Sequence, residues 1–296
     1  MTPTEELFER ERAPLVRHAY RMLGTMTDAE DIVQDAFVRW HRADRSDVRD
    51  PRAFLRTSVT HLALDRLRER KRSRETYVGP WLPEPIVVDE AATPEHIVSV
   101  TEDISFAFLL ALERLSPLER AAFLLHDALE VPFAEIAQTL ARSEESVRRL
   151  ASRARRAIQE SNPRRIAPAA DADSLRARFT RAILDGDVAQ VQAMLTDDVR
   201  LLSDGGGKKV AALNPIDGPD RVSRFLVGVA QKVREEIREM RSVTINGLPG
   251  FLMLGEGGLD GVWVLEPRDG KVAAVYVSRN PDKLAAVAQV TGLPIC

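Results

Sequence analysis

The chain has 296 residues, too many for one compact helical domain, so two or three units are expected. Hydrophobic content of 44% and charged content of 29% are those of a soluble globular protein, and no stretch approaches a membrane span. The net charge of −3 excludes a uniformly basic nucleic-acid binder, and the single cysteine, Cys296, excludes a disulfide framework or an intrachain thiol metal site, which suits a reducing cytoplasm. The first residues are charged and lack an apolar signal core. Thr4–Leu23 reads as a helix stopped by Gly24. Thr27-Asp28-Ala29-Glu30 has capping-box spacing and launches a helix with Ile32, Val33, Ala36, Phe37 and Trp40 on one face. Asp31, Gln34, Asp35 and Arg39 lie opposite, a face that by pattern alone is simply solvated. After a polar loop, Arg42–Asp50, comes a helix from Pro51 to about Arg72 with Leu55, Val59, Leu62 and Ala63 inward. Arg52, Arg56, Thr57, Thr60 and His61 occupy its outer positions. It ends in Arg66, Arg68, Arg70, Lys71, Arg72 and Arg74, which either compensate the helix terminus or track phosphates.

From Thr76 the helical period disappears, and YVGPWLPEPIVVDEAATP predicts an extended, stiff connector. Trp81 within it is either packed on a neighbouring helix or buried against a partner. Ser116-Pro117-Leu118-Glu119 is a second capping box, followed by Leu118, Ala121, Ala122, Leu125 and Ala128 on one face. A helix starting at Pro132 places Phe133, Ile136, Ala137 and Leu140 inward. Only Ala141 and Arg142 separate it from the next helix, which Ser143 caps. That helix carries Glu144 and Glu145 in its first turn and a stripe of Val147, Leu150, Ala151, Ala154 and Ile158. Arg148, Arg149, Ser152, Arg153 and Arg156 line its other side. A tight turn before an arginine-faced amphipathic helix predicts a DNA-binding helix-turn-helix, against the plainer alternative of a bundle with a solvated basic face.

These segments carry a resemblance. DAEDIVQDAFVRW (Asp28–Trp40) with PRAFLRTSVTHLALDRLRERKR (Pro51–Arg72) is similar to region 2 of bacterial sigma factors, and Ser116–Ile158 to region 4, in the compact two-domain type called extracytoplasmic-function (ECF) sigma factors. The resemblance covers about the first 160 residues. It implies that Asp31, Gln34 and Asp35 dock on the β′ subunit of core RNA polymerase, the β subunit being the other expected contact. It assigns the −10 promoter element to the 42–50 loop and the Pro51–Arg72 helix, with Arg52, Arg56, Thr60, His61 and Arg68 as contacts. The −35 element falls to Arg148, Arg149, Ser152, Arg153 and Arg156. Two positions depart from the family: Ala141 replaces the usual turn glycine and Arg142 an apolar residue. Residue 141 must therefore avoid a positive φ or accept strain.

The last 120 residues change character. Leu175, Phe179, Ala182 and Ile183 predict a helix stopping near Gly186, and Val188, Val191 and Leu195 another. Strands are predicted at Val199–Leu202, Ser242–Ile245, Phe251–Leu254, Val262–Leu265 and Val272–Val277, with Pro219–Glu235 helical between them and a terminal helix from Asn280-Pro281 to Gly292. This predicts an α+β unit with a curved antiparallel sheet. The order resembles the SnoaL-like cones of the NTF2-like superfamily. WLPEP (Trp81–Pro85), DGGGKK (Asp204–Lys209) and NPDKL (Asn280–Leu284) together resemble the sigma-factor group that carries such a domain at its C-terminus. That resemblance implies a domain regulating its own chain in place of an anti-sigma factor, with Trp81, Leu82, Pro83, Asp204, Gly205, Gly206, Gly207, Lys208, Asn280, Pro281 and Asp282 as interdomain contacts.

No catalytic set is legible. All five histidines lie at or before His126, and the carboxylates Asp185, Asp187, Asp204 and Asp217 are not placed in one cleft by sequence alone. Gly205-Gly206-Gly207-Lys208 is not a phosphate loop, because Lys209 stands where Ser or Thr is needed and Leu202 where the first Gly is needed. The expected fold class is multidomain: region 2 at 1–75, a Pro-rich linker at 76–95, region 4 at 96–163, and a SnoaL-like domain at 171–296. The expected function is a cytoplasmic sigma factor without enzyme activity, cofactor, metal or membrane association, bound to core polymerase and promoter DNA. The alternatives are a one-component ligand-sensing regulator and a SnoaL-type enzyme fused to a DNA-binding module.

Overall fold

The structure, a computed structural model, describes residues 3–42, 48, 50–74, 77–88, 104–161 and 169–296. It divides into two units: Met1–Thr76 with Ala107–Pro163, and Tyr77–Phe106 with Arg164–Cys296. Most of the 42–50 loop lies outside the described residues.

The first unit is helical. Helix α1 (Pro3–Leu23) buries Ala19, Tyr20, Met22 and Leu23, and Gly24 ends it at φ 70°. Helix α2 (Met26–Arg42) starts earlier than expected. Thr25, rather than Thr27, sits at its head: its carbonyl accepts from the Ala29 amide at 3.2 Å and its hydroxyl donates to Asp28 at 2.9 Å. Ile32, Val33, Ala36 and Trp40 are buried along one stripe. Helix α3 (Pro51–Arg74) lies on both. From its basic end, Arg70 donates to the Leu23 carbonyl and the Thr25 hydroxyl, each at 2.6 Å, and pairs with Asp28. This arginine therefore fastens α3 to the α1–α2 turn; the Lys71, Arg72 and Arg74 side chains lie outside those described.

His18 of α1 is 2% exposed and its Nε2 lies 3.0 Å from the Thr60 hydroxyl. Thr60 donates its one hydroxyl proton to the Arg56 carbonyl at 2.8 Å, so it accepts from His18, which makes the imidazole the Nε2–H tautomer. Burial, reinforced by the charges of Arg21 and Arg56, depresses the His18 pKa to about 3. The unfolded chain protonates this histidine near 6.5 and the folded chain does not. Stability is thus complete above that value and falls as pH drops from about 6.5 towards 3, by roughly 1.4 kcal/mol per unit in that window. Urea titrations of the first unit at successive pH values should show this slope, and His18→Gln should flatten it.

Helix α4 (Phe106–Glu113) leads to α5 (Pro117–Phe123), whose reciprocal Ser116–Glu119 capping box forms as the spacing dictates. A π-helical turn, Leu124–Ala128, continues α5 and buries Leu124 and Leu125. Sequence periodicity gives no sign of it, because one wide turn shifts the register without altering the apolar pattern. Helix α6 (Phe133–Leu140) is followed by Ala141 at φ 50°, ψ 52°, and then by α7 (Glu144–Ser161). The strain foreseen for a non-glycine turn residue is accepted. Ala141→Gly should stabilise the first unit by about 0.5–1 kcal/mol, seen as a higher midpoint in urea, because Ala141 is exposed and loses no contact.

The second unit is α+β. Its helices are α8 (Ala169–Leu184), α9 (Val188–Ala193), α10 (Pro219–Lys232) and α11 (Pro281–Thr291). Its sheet runs in the order β1-β4-β5-β6-β7-β2-β3, with β1 Val87–Val88, β2 Leu195–Asp204, β3 Ile216–Asp217, β4 Ile237–Ile245, β5 Leu248–Gly255, β6 Gly258–Arg268 and β7 Lys271–Ser278. The expectation of a purely antiparallel sheet is corrected here: β2 pairs parallel to β7, because the chain returns through β4–β7 before closing beside β2. Phe179, Ala182, Val191 and Leu226 from the helices meet Phe251, Leu265, Val275 and Val277 from one sheet face. On β7 the alternate Tyr276 stacks on Phe106, with centroids 5.1 Å apart.

Candidate functional site

Helix α7 presents the surface its pattern calls for. Val147, Leu150, Ala151, Ala154 and Ile158 are buried, while Arg148, Arg149, Ser152, Arg153 and Arg156 are all exposed. Each arginine is held by a carboxylate: Arg148 by Glu144, Arg149 by Glu145, Arg153 by Glu119 and Arg156 by Glu160. Such solvated pairs are worth no more than about 1 kcal/mol, so they orient the guanidinium forks without competing seriously with a phosphate or a guanine edge. Arg148 also lies over the Phe133 ring, 4.4 Å from its centroid. Glu119 feels desolvation upward, but hydrogen bonds from Ser116 and Arg153 hold its carboxyl below the usual range.

On α2, Asp31, Gln34 and Asp35 are exposed side by side over the buried Ile32, Val33 and Ala36. Among the described residues no hydrogen bond or ion pair engages these three side chains. The α3 residues divide. Arg52 pairs with Glu11 at 2.7 Å and Arg68 with Asp65 at 2.7 Å, both arginines exposed. Arg56 reaches Glu135 at 3.3 Å, and His61 Nε2 lies 2.6 Å from the Thr139 carbonyl. Thr60 corrects the expectation of an outer position: it is fully buried beneath His18 and presents nothing to a ligand. Its partner comes from α1, 42 residues away, which no local pattern encodes.

The three short motifs of the second unit converge on one carboxylate. Asp204, at the end of β2, is 0% exposed. It accepts from the Tyr77 hydroxyl at 2.5 Å, the Leu82 amide at 2.8 Å, the Gly206 amide at 3.0 Å and the Lys283 ammonium at 2.6 Å. Lys283 of α11 also donates to the Leu82 carbonyl and lies 4.3 Å from the Trp81 ring centroid and 5.2 Å from that of Tyr77. Asn280 caps α11 and donates to the Tyr77 hydroxyl at 3.1 Å. Gly206 has φ 59°, and a Cβ there would fall 2.3 Å from Asn280, so the turn requires glycine. Pro83 is buried, Pro281 opens α11, and Lys208 pairs with Asp282 at 2.6 Å in solvent. Burial and the Asp204 carboxylate push the Tyr77 hydroxyl well above its ordinary pKa, so it stays a donor.

A second anchor involves residues the sequence did not single out. Asn246, fully buried in the β4–β5 turn at φ 50°, accepts from the Ile86 amide at 2.8 Å and donates to the Ile104 carbonyl at 2.8 Å. One amide side chain therefore bridges two points 18 residues apart in the linker, 86 and 104. Asn246-Gly247 is legible as a hairpin turn, yet nothing local says what its side chain meets.

The carboxylates weighed as acid–base groups are dispersed. Asp185 pairs with Arg181, Asp187 caps α9, Asp217 pairs with Arg200, and Asp204 lies in the linker contact. A cavity of about 40 Å³ between α8, α10 and the sheet is lined by Phe179, Ile183, Val229, Phe251 and Trp263 among others, with Thr180, hydrogen-bonded to Arg176, its only hydroxyl. Among the described residues, no three His, Cys, Asp or Glu side chains gather as a metal site, and no helix is long and apolar enough to cross a membrane.

Comparison with known proteins agrees with this geometry. Residues 7–73 match Sigma-70 region 2 and residues 105–158 match Sigma-70 region 4. The chain is 40% identical to the ECF RNA polymerase sigma factor SigJ of Mycobacterium tuberculosis, over 97% of this chain and 93% of that protein. It is 29% identical to the probable ECF RNA polymerase sigma factor SigI of the same species, over 95% of each. The crystal structure of Mycobacterium tuberculosis SigJ superposes with a TM-score of 0.77 at 38% identity, covering 95% of this chain and 98% of that one. The chain belongs to the extracytoplasmic-function RNA polymerase sigma factors.

Proposed function

We propose that α2 docks on the β′ subunit of core polymerase through Asp31, Gln34 and Asp35, with β as the second contact. In the same reading, α3 captures and opens the −10 element, and the exposed face of α7 reads the −35 element. Support comes from the unengaged α2 triplet and from five exposed polar side chains on α7, each set over a buried stripe. A cytoplasmic setting accords with transcription and with the lone cysteine.

The second unit acts, in this proposal, as an intramolecular regulator and not as an enzyme. One observation carries it: the linker joining the two promoter-reading parts is fastened to the second unit at both ends. Asp204 and Lys283 hold Tyr77 and Leu82, while Asn246 bridges Ile86 and Ile104. Released, residues 77–106 would span roughly 100 Å fully extended, ample for a −10 to −35 separation. Fastened, the 86–104 span is limited to the width of one side chain. The apolar cavity, without an acid–base pair, favours regulation over turnover. Run-off transcription with core polymerase tests this by comparing the full chain with one ending at Pro168. A change in promoter-dependent output supports the regulator, and equal output contradicts it.

A further inference from the structure

The arginines of α7 are not all supported alike. Arg149 and Arg156 rest on glutamates of their own helix, Glu145 and Glu160, and Arg153 on Glu119. Arg148 has two supports of different kinds, Glu144 at 2.5 Å and the Phe133 ring beneath its guanidinium. Phe133 is stacked in turn on His126, with centroids 3.8 Å apart and planes 29° from parallel. The imidazole is itself pinned, because its Nδ1 donates to the Val131 carbonyl at 3.0 Å. His126 belongs to the π-helical turn, whose next residue, Asp127, pairs with Arg155 at 2.6 Å. Arg148 and Arg155 stand two helical turns apart, so the wide turn steadies α7 at two levels. The periodicity of α6 sets Phe133 inward with Ile136 and Leu140. Those two are buried, whereas Phe133 is only half-buried, so core packing does not account for an aromatic ring at that position.

We propose that Phe133 and His126 are positioning residues that make Arg148 a guanine-reading side chain of α7. The inference rests on assigning the α7 face to the −35 element. Reading guanine takes two parallel hydrogen bonds, to O6 and N7, and so demands a guanidinium held in one plane; a phosphate contact tolerates a swinging one. The Glu144 pair alone is an exposed contact between neighbouring turns, too weak to fix that plane. A ring beneath the guanidinium restrains its plane while leaving its N–H donors for the base. Arg148 also lies in the second turn of α7, towards the end of a recognition helix that meets base edges in the major groove. Among the described residues, no ring supports Arg149, Arg153 or Arg156.

The test uses the full chain as holoenzyme with core polymerase, and a promoter duplex that this holoenzyme selects from a randomised library. Binding at fixed salt is compared for every single base-pair change in the −35 element, each variant normalised to the holoenzyme it forms. Arg148→Ala is expected to lose discrimination at one G·C pair by about five- to 150-fold. Phe133→Leu should lose about threefold or more at that same pair, keep the other pairs as they were, and add no further loss in the Arg148→Ala background. Phe133→Tyr keeps the ring and should keep the discrimination. His126→Leu removes the ring stacked on Phe133 and should lower discrimination at that pair alone. A Phe133→Leu loss spread evenly over all duplexes would mark a merely structural ring and overturn the positioning role. Full discrimination in Phe133→Leu, beside a loss in Arg148→Ala, would overturn it too while leaving Arg148 as a base reader. Full discrimination in Arg148→Ala would overturn the base-reading assignment of Arg148 itself, and the positioning role with it.

Discussion

Replacing Asp204 with alanine is expected to destabilise the second unit by about 3–5 kcal/mol, because it strands the Lys283 ammonium in a site 7% exposed. Three further donors, from Tyr77, Leu82 and Gly206, lose their acceptor in the same step. The linker should detach before the rest of the unit unfolds, seen as faster amide exchange at Leu82 than at Val275 in the sheet core. The double variant Asp204→Ala, Lys283→Met should recover much of the stability, since buried ion pairs replaced by apolar groups are often near neutral. Lys208→Ala provides the contrast. Its pair with Asp282 is more than half exposed, so the cost should not exceed about 1 kcal/mol. Urea unfolding of the three variants measures all of this, and an Asp204→Ala cost as small as that of Lys208→Ala would show the buried pair to be inconsequential.

Arg149→Ala and Arg153→Ala are each expected to weaken binding to a −35 duplex by about 1–3 kcal/mol, roughly five- to 150-fold. Both arginines are more than 60% exposed; Arg149 pairs with the exposed Glu145, so folding should change by less than about 0.5 kcal/mol, whereas Arg153 pairs with the largely buried Glu119, so its loss should cost up to about 1 kcal/mol. Core polymerase binding should be untouched, because the residues proposed for it lie on α2. A filter-binding series at fixed salt separates base reading from phosphate contact: a base contact loses affinity for the cognate duplex alone, a phosphate contact for every duplex. Loss of polymerase binding in either variant would refute the face assignment.

Much of the first unit was legible because its helices are amphipathic with tight boundaries. The α7 stripe, the Ser116 capping box and the Gly24 stop follow from spacing and local chemistry alone. The failures share a cause, which is tertiary contact. Thr60 sits at an outward position of the α3 pattern, yet His18 from another helix buries it. The direction of β2 depends on which strand closes the sheet, and no residue within β2 encodes that. In the second unit the three motifs pointed to Asp204 and its turn. Lys283 lies within the NPDKL motif with no legible role, Tyr77 reads as part of the extended connector, and no pattern in the sequence analysis marks Asn246. Each acquires its function only when the linker lies against the sheet.

The account turns on the linker being held by the second unit, and Asn246→Gly in the full chain tests that most directly. Glycine keeps the positive φ of the turn while removing the amide that bridges Ile86 and Ile104. Two hydrogen bonds are lost, one buried and one partly buried, worth about 1 kcal/mol each, enough to shift a held–released equilibrium by up to about thirtyfold. Promoter-dependent run-off transcription with core polymerase should rise by a comparable factor over the unaltered chain. Unchanged transcription, in a folded variant whose Ile86 amide exchanges faster, would contradict regulation through the linker.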